Sequence, residues 1–348
     1  MRDRQSRSIF IKSVLYFATL AVVVYVLVYM PTPYMINKPG TAEEVKPMVI
    51  VESGDPEEKG AFMLTTVSVS YANLAMLVTS RFNKHAEVVR KEPDRNEKEY
   101  ETQQRYYMSS SQSSAVMAAY HHAGIEYSVV PEYVFVIGLS KTITPKGDFQ
   151  SGDKIIKVNG QAVDRFEDLA AILQEKKPGD VVPVQLERQG ESIKQEIELV
   201  NISPEGDSVK AGLGVSVGEV REVQPKEAVN EVKFADTRIG GPSAGLMFTL
   251  EIYNQLTPGD LSKGYRVAGT GTMAEDGTVG TIGGVQFKIV ASDREKAEIF
   301  FVPEANYKDA RAKADAIGST MKLVPVKTVD DALSYLKELP DKEASVEK

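Results

Sequence analysis

An apolar run without a charged residue lies near the start of the chain. It covers Val14–Met30, is rich in Val, Leu, Tyr and Ala, and follows three arginines and Lys12. As a helix this run is ~26 Å long at about 1.5 Å per residue, and the uncharged residues beside it extend it to bilayer thickness. The pattern predicts one transmembrane helix in contact with membrane lipid. Its basic N-terminal end is expected to be cytoplasmic, with everything after Pro31 outside the cell.

A cleaved signal peptide is the alternative interpretation of that run. Such a segment is normally followed by a small-x-small cleavage site. Residues 29–34 read Tyr-Met-Pro-Thr-Pro-Tyr instead. The sequence therefore favours a retained signal anchor.

The residues after the anchor mix strand and helix patterns. Apolar segments predict short strands at Pro47–Glu52 and Ala61–Ser70. Helical periodicity then predicts helices at about Tyr71–Phe82 and Asp94–Ala123, and the second ends at Gly124, a residue type favoured just after a helix.

Residues 131–200 have the pattern of a compact, strand-rich module. Short apolar segments are separated by polar turns, one of them the tight-turn pair Asn159-Gly160, and one segment is amphipathic with a helical period. The predicted strands are Tyr133–Leu139, Ile155–Val158, Val181–Arg188 and Ile193–Val200, and the predicted helix runs from Asp164 or Arg165 to Lys177.

The segment Gly152-Asp-Lys-Ile-Ile-Lys-Val-Asn-Gly160 resembles the Gly-Asp-x-Ile-x-x-Val-Asn-Gly signature of bacterial PDZ domains. The resemblance implies an exposed strand edge beside a helix, where an extended peptide adds as a further strand. Val136–Leu139 would form part of that edge, with Gly138 and Leu139 at the carboxylate-binding loop. The alternative is a module that only orients its neighbouring domain or forms a contact between subunits.

A serine in the C-terminal half has an unusual local setting. It lies in Gly240-Gly-Pro-Ser-Ala-Gly245, and Ala244–Gln255 has helical periodicity. Ser243 is therefore expected at or next to a helix N-terminus, where unpaired N–H groups and the helix dipole suit a nucleophile and a developing oxyanion. The alternative is an ordinary N-cap serine.

A second glycine-rich segment, Gly283-Gly284, precedes a lysine. Strand-like Val267–Met273 and Val279–Ile282 come first, and a helix is expected to start near Val285, which puts Lys288 in its first turn. Acidic residues are preferred there, so a lysine indicates a role beyond helix stability, although a solvated lysine is the alternative. All three histidines precede residue 131 and the chain has no cysteine, so lysine is the base available to a serine in this half.

Together the two segments resemble the proteolytic domain of Lon-type serine peptidases, over roughly residues 205–340. In that family a serine in Gly-Pro-Ser-Ala-Gly works with a lysine that follows a Gly-Gly pair, which implies that Ser243 and Lys288 form a catalytic dyad. Thr270 matches a threonine that helps to orient the lysine. Many members have an acidic residue where this chain has Gly240, so a role for that carboxylate does not transfer. The residues implied to support the dyad are Gly241, Pro242 and Ala244.

The chemistry of this pair follows from the residue types. Ser243 Oγ would attack a scissile carbonyl while the neutral amine of Lys288 accepts its proton and later returns it to the leaving amine. A lysine with an ordinary pKa of ~10.4 is neutral in only about one molecule in a thousand at pH 7. Burial lowers that pKa, by up to roughly 3–5 units. The apolar residues available for this are Ile282, Val285, Phe287 and Ile289.

The whole arrangement resembles the membrane-anchored, PDZ-containing Lon-like peptidases of Gram-positive and related bacteria. The resemblance implies an ATP-independent endopeptidase of the bacterial cell membrane that needs no cofactor. The 348 residues contain no Gly-x-x-x-x-Gly-Lys-Ser/Thr phosphate loop. The expected substrates are peptides or unfolded protein segments. Alternatives are an inactive scaffold that binds membrane-protein tails and a Ser-Lys enzyme of the signal-peptidase type.

Composition limits the other partners. A net charge of -8 without a basic patch argues against nucleic acid as a binding partner. His121-His122 lack further ligands in suitable register, so no metal site is expected. Lon-type domains often form rings, so the resemblance is compatible with a homo-oligomer, while the sequence itself specifies no stoichiometry.

The expected fold class is α+β, in five segments. Residues 1–37 form the cytoplasmic tip and transmembrane anchor, 38–130 an extracellular strand-helix region, 131–200 the PDZ-like domain, 201–340 the Lon-type α/β proteolytic domain and 341–348 a charged tail.

Overall fold

The computed structural model describes residues 2–54, 59–92, 96–140, 142–203, 208–237 and 239–342. It is 36% helix and 34% strand, which confirms the α+β class. The end of the charged tail, residues 343–348, lies outside the described residues.

The first helix, α1, spans Arg2–Tyr29. Within it Phe10–Tyr29 has a mean hydropathy of 2.2, and none of this stretch is buried against the rest of the protein. In the described part of the chain it is the one helix long and apolar enough to cross a membrane. It ends just before Pro31, as expected because a proline disfavours helical backbone in the residue that precedes it.

Six further elements precede the PDZ-like module. They are β1 (Pro31–Glu44), β2 (Val49–Val51), β3 (Ala61–Asn73), α2 (Leu74–Ser80), β4 (Glu87–Arg90) and α3 (Glu97–Ala123). The sequence analysis did not predict β1 or β4. The strand predicted at Pro47–Glu52 is longer than β2, because Lys46–Met48 forms a turn of 3₁₀ helix.

The helix predicted at Tyr71–Phe82 is wrong at both ends. Strand β3 stays paired with β1 as far as Asn73. Asn73 then caps α2, and its side chain accepts a hydrogen bond from the Met76 N–H. The strand therefore takes the first three residues of the predicted helix.

Helix α3 is close to its prediction. Asn96 caps it by accepting from the N–H groups of Lys98 and Glu99, and it ends at Gly124 with φ +71°. That conformation favours glycine, which agrees with the predicted C-terminal end. The predicted start at Asp94 lies outside the described residues.

The PDZ-like module is a twisted antiparallel sheet with one helix against it. Its strands are ordered β12-β5-β6-β8-β9, with β7 paired to β6. A core that includes Val136, Ile155, Leu169 and Leu186 lies between sheet and helix. The elements are β5 (Tyr127–Leu139), β6 (Lys154–Val158), β7 (Gln161–Ala162), α4 (Phe166–Gln174), β8 (Val181–Arg188), β9 (Glu191–Glu198), the β10–β11 hairpin (Val200–Asn201, Ala211–Gly212) and β12 (Val215–Pro225).

The prediction that Val136–Leu139 forms a free edge is wrong. Strand β12 pairs along it, with Leu139 opposite Val215, Gly138 opposite Ser216 and Val136 opposite Val217. The strand that closes this side of the module thus comes from beyond residue 200.

The C-terminal part alternates strands and helices. Its elements are β13 (Val232–Phe234), α5 (Gly245–Leu256), β14 (Arg266–Gly269), β15 (Thr272–Met273), β16 (Val279–Gly280), α6 (Val285–Arg294), β17 (Ile299–Pro303), α7 (Tyr307–Ile317), β18 (Lys322–Val326) and α8 (Val329–Glu338). The strand predicted at Val267–Met273 is two strands. The two strands are separated at Gly271, whose N–H bonds to the Ser243 carbonyl rather than to another strand.

A six-stranded sheet joins segments from both sides of the PDZ-like module. Its order is β18-β17-β14-β3-β1-β4, with β3 antiparallel to β1 and parallel to β14. Phe62 and Leu64 of β3 pack with α3, α5 and α8, whereas Met63 packs with α6 and α7, so helices cover both faces. We infer that residues 31–123 and the chain after β12 form one structural unit into which the PDZ-like module is inserted.

Candidate active site

Glycines place Ser243 at the start of a helix. Gly241 has φ +90°, a conformation that other residues rarely adopt. The turn it forms delivers Ser243 one residue before Ala244, the buried N-cap of α5. Gly245 must also lack a side chain, because a Cβ there would lie 2.7 Å from Ser111 Oγ.

Helix α3 holds the turn before Ser243 in place. The Gly241 N–H donates to the Gln104 carbonyl at 3.0 Å, and Ser111 Oγ donates to the Pro242 carbonyl at 2.9 Å. The sequence analysis named neither Gln104 nor Ser111. A polar residue on the buried face of α3 was the one available signal for Ser111.

Lys288 reaches Ser243 from the opposite side. Gly284, with φ +71°, caps α6, and Lys288 lies in the first turn of that helix. Its side chain is 3% exposed, and its Nζ lies 3.0 Å from Ser243 Oγ and 2.6 Å from the Thr65 carbonyl of β3. The structure therefore brings together the two residues that the sequence singled out, and it adds a backbone acceptor that fixes the amine.

Burial lowers the pKa of Lys288 to about 7. Of the apolar residues near it in the chain, Val285, Phe287 and Ile289 are buried and Ile282 is partly buried. A buried ammonium loses hydration that two hydrogen bonds only partly replace. A substantial share of the side chain is therefore the neutral amine near pH 7, and this amine can accept a proton.

Thr270 orients the serine segment rather than the lysine. Its hydroxyl donates to the Ser243 carbonyl at 3.0 Å, while the lysine amine bonds to the Thr65 carbonyl. Thr65 is tied to the same region, because its hydroxyl donates to the Gly269 carbonyl at 3.1 Å. The Thr65 hydroxyl thus links β3 to β14, and the Thr270 hydroxyl links the residue after β14 to Ser243.

The N-terminus of α5 offers donors for an oxyanion. Within the described part of the chain, the N–H groups of Ser243 and Ala244 have no acceptor, whereas that of Gly241 is used by Gln104. Donors of this kind next to a nucleophile stabilise the negative charge that develops on an attacked carbonyl oxygen.

The pair opens into a groove between β3 and α3. A cavity of about 620 Å³ contains Ser243 and Lys288 in its wall, together with Val67 of β3 and Gln104 of α3. A second cavity of about 920 Å³ continues along the same two elements and shares Val67 and Gln104. The two cavities together form an open groove that leads to Ser243.

Gly138 and Leu139 lie away from this pair, in the PDZ-like module. Both are on β5 and are paired with β12. Gly138 also faces α3 so closely that a Cβ would collide with the Glu99 carboxylate. The position is therefore one of close packing against α3.

Two family models match the chain. The Lon protease C-terminal proteolytic domain matches residues 233–338, and the PDZ domain matches residues 124–199. The chain carries a Lon-type proteolytic domain and a PDZ domain. The first match contains the Ser243–Lys288 pair and supports a serine peptidase; the second ends before β12, the strand that completes the sheet of the PDZ domain.

Curated relatives agree with the Lon-type domain. The Lon protease of Elusimicrobium minutum is 33% identical over 108 residues, which are 31% of this chain and 13% of that protein. The Lon protease of Trichlorobacter lovleyi is 29% identical over 144 residues, 38% of this chain and 17% of that protein. The matches thus cover less than a fifth of these relatives.

Solved structures are similar to about a quarter of the chain. The PDZ domain of an SdrC-like protein from Listeria monocytogenes is 23% identical, with a TM-score of 0.22, and the match covers 25% of this chain and 87% of that one. A protein from Geobacillus thermodenitrificans is 27% identical, with a TM-score of 0.21, over 24% of this chain and 95% of that one.

Proposed function

We propose that this protein is a membrane-anchored serine endopeptidase in which Ser243 is the nucleophile and Lys288 the general base. The observation that carries the proposal is the 3.0 Å contact between Ser243 Oγ and a Lys288 amine that is almost fully buried. Similarity to the Lon proteolytic domain supports the reaction class.

The steps follow from this geometry. The neutral amine of Lys288 takes the hydroxyl proton as Ser243 Oγ attacks the scissile carbonyl carbon, and the N–H groups of Ser243 and Ala244 stabilise the oxyanion. When the tetrahedral intermediate collapses, the C–N bond breaks and Lys288 gives its proton to the leaving amine. A water molecule, deprotonated by Lys288, then releases the acyl group and restores the serine.

The substrates we propose are peptides and unfolded segments, cleaved without ATP. The full chain in lipid nanodiscs should cleave unfolded casein in nucleotide-free buffer, and added ATP should not change the rate. Cleavage that appears only with ATP would refute the ATP-independent part of the proposal.

The pH dependence of cleavage is expected to report Lys288. The amine is protonated below its pKa and cannot accept a proton, so kcat/KM should rise through about pH 7. The test is kcat/KM for a peptide without titratable side chains, and a rise centred near the ordinary lysine pKa would contradict the role of burial.

Loss of the Ser111 hydroxyl is expected to disturb catalysis through the Pro242 carbonyl. Ser111→Ala removes the 2.9 Å hydrogen bond to that carbonyl and leaves it only the longer 3.4 Å bond from the Gly245 N–H, and the loss of one hydrogen bond costs about 1 kcal/mol. We expect kcat to fall roughly tenfold with little change in KM. Ser113→Ala is the matched control, because Ser113 on the same helix donates to the Arg221 carbonyl of β12 instead. Equal loss of kcat in both variants would contradict a positioning role for Ser111.

The PDZ domain is proposed to dock substrate or a partner along β12. This strand is the end strand of its sheet and lies beside α4, where the Phe166 N–H donates to Glu219 of β12 at 2.7 Å. An extended peptide adds to such an edge as another strand. Gly138 and Leu139 are not proposed as ligands, because they lie on the inner side of β12.

Hydrogen exchange tests the docking edge. With the Ser243→Ala chain and unfolded casein, exchange of the β12 amides should slow, and that of β9, at the other end of the same sheet, should not. Protection of β9 alone, or of neither strand, would exclude docking along β12.

We further propose that α1 anchors the chain with its N-terminus in the cytoplasm and the remaining domains outside. The support is the apolar stretch of α1 together with the basic residues that precede it. Protease added to intact protoplasts should digest the bulk of the chain. Protection of the C-terminal part would show that the chain has the opposite orientation.

A further inference from the structure

The segment after β3 presents two unburied apolar side chains on one side of a helix. Val78 of α2 is 59% exposed, and Phe82, four residues later, is 85% exposed. The helical turn continues past α2, because the Phe82 N–H bonds to the Thr79 carbonyl. Residues four apart lie on the same helix face, so the two side chains form a single apolar spot.

This spot lies beside the end of α1. The Asn73 side chain at the start of α2 donates to the Val28 carbonyl of α1 at 2.8 Å. The surroundings also carry exposed tyrosines, a residue type enriched where membrane meets water. They are Tyr25 and Tyr29 of α1, Tyr34 of β1 and Tyr71 of β3.

The charged residues that lie beside Phe82 in the chain are basic. Arg81 and Lys84 are exposed on either side of Phe82, and residues 74–86 contain no Asp or Glu. A basic segment with apolar side chains suits a surface that offers phosphate groups over acyl chains.

We propose that Val78, Arg81, Phe82 and Lys84, here called the α2 patch, dock on the lipid bilayer beside α1. Val78 and Phe82 enter the acyl-chain boundary, and Arg81 and Lys84 contact lipid phosphates. The inference rests on the proposed membrane anchor and adds a second, peripheral contact with the same leaflet.

Docking would limit the height of the active site above the bilayer. Thr65, whose carbonyl holds Lys288, precedes Asn73 by eight residues of β3. At about 3.3 Å per residue the site is at most roughly 26 Å along the strand from the docked end. Short extended segments of neighbouring membrane proteins would therefore be within reach.

The experiment uses the absence of tryptophan from the chain. Phe82→Trp in the full chain introduces a single tryptophan, and nanodiscs of phosphatidylcholine and phosphatidylglycerol with brominated acyl chains quench a tryptophan that enters the lipid. We expect at least twofold quenching and a blue-shifted emission relative to unbrominated nanodiscs. The control is Val181→Trp, at another exposed position, in the PDZ domain, whose emission should not change. Adding Arg81→Glu and Lys84→Glu to Phe82→Trp should reduce the quenching.

The possible outcomes distinguish a failure of the proposed docking from a failure of the proposed membrane anchor. If the chain enters nanodiscs but the Phe82→Trp emission is the same in both lipids, the docking is wrong and the anchor stands. If the chain does not enter nanodiscs, the proposed anchor fails and the docking fails with it.

Discussion

Ser243→Ala is expected to lower kcat/KM for unfolded casein by at least about 10³-fold, because it removes the proposed nucleophile, to which the acyl group would be bonded. Lys288→Ala should have an effect of similar size, since Lys288 Nζ is the basic group in contact with the Ser243 hydroxyl. The two residues act in the same proton transfer, so the double variant should be no slower than either single variant. Lys288→Arg should also be inactive, because a guanidinium does not deprotonate in this pH range.

The controls for this prediction are in the chain itself. Ser128→Ala and Lys308→Ala change an exposed serine and an exposed lysine far from the groove and should leave kcat/KM unchanged. Circular dichroism and the thermal transition show whether each variant folds. Substantial turnover by folded Ser243→Ala, in material free of other proteases, would refute the assignment of the nucleophile and leave the scaffold alternative.

The Ser243–Lys288 pair could be found from the sequence because its signals are local. Each residue sits within a few positions of glycines that its turn requires, Gly241 for the serine and Gly284 for the lysine, and both glycines have positive φ. Such requirements can be read from a short segment without knowledge of the fold.

The groups that complete the site have no such signals. The Thr65 carbonyl that binds Lys288 is a backbone atom 223 positions away along the chain, and any residue type could supply it. It reaches the lysine because β3 pairs with β14, a contact across the inserted PDZ domain. The pairing is long-range and parallel, so periodicity within a window could not show it.

The prediction that Val136–Leu139 forms a free edge is wrong for a related reason. The valine-rich segment Val215–Val223 has the β-branched composition of a strand, but no strand was predicted there because the PDZ resemblance was taken to end at residue 200. That strand covers Val136–Leu139 and becomes the edge itself. Division of the chain into consecutive segments hid both this strand and the link between the two halves of the structural unit.

Lys288→Met is expected to stabilise the protein at neutral and acidic pH while it abolishes activity. A pKa lowered from 10.5 to about 7 corresponds to a cost of roughly 4–5 kcal/mol for the protonated buried lysine, at about 1.36 kcal/mol per unit. Methionine has similar volume and no charge, so that cost disappears. It leaves the Thr65 carbonyl without a donor, which returns about 1–3 kcal/mol. A net gain of about 1–4 kcal/mol in the free energy of unfolding should remain at pH 6.

The sign of the pH dependence makes this prediction specific. Between about pH 7 and pH 10.5 the unfolded lysine binds a proton that the folded one has lost, so the free energy of unfolding of the parent protein rises with pH through this window. The advantage of Lys288→Met should therefore be largest at or below pH 7 and shrink as the pH approaches 10. Denaturant unfolding of both proteins at pH 6, 8 and 9.5 measures the difference, and Lys308→Met, an exposed change on α7, should show none. A variant that is less stable than the parent at pH 6, or whose advantage does not change with pH, would show that the lysine is not held as a neutral amine by burial.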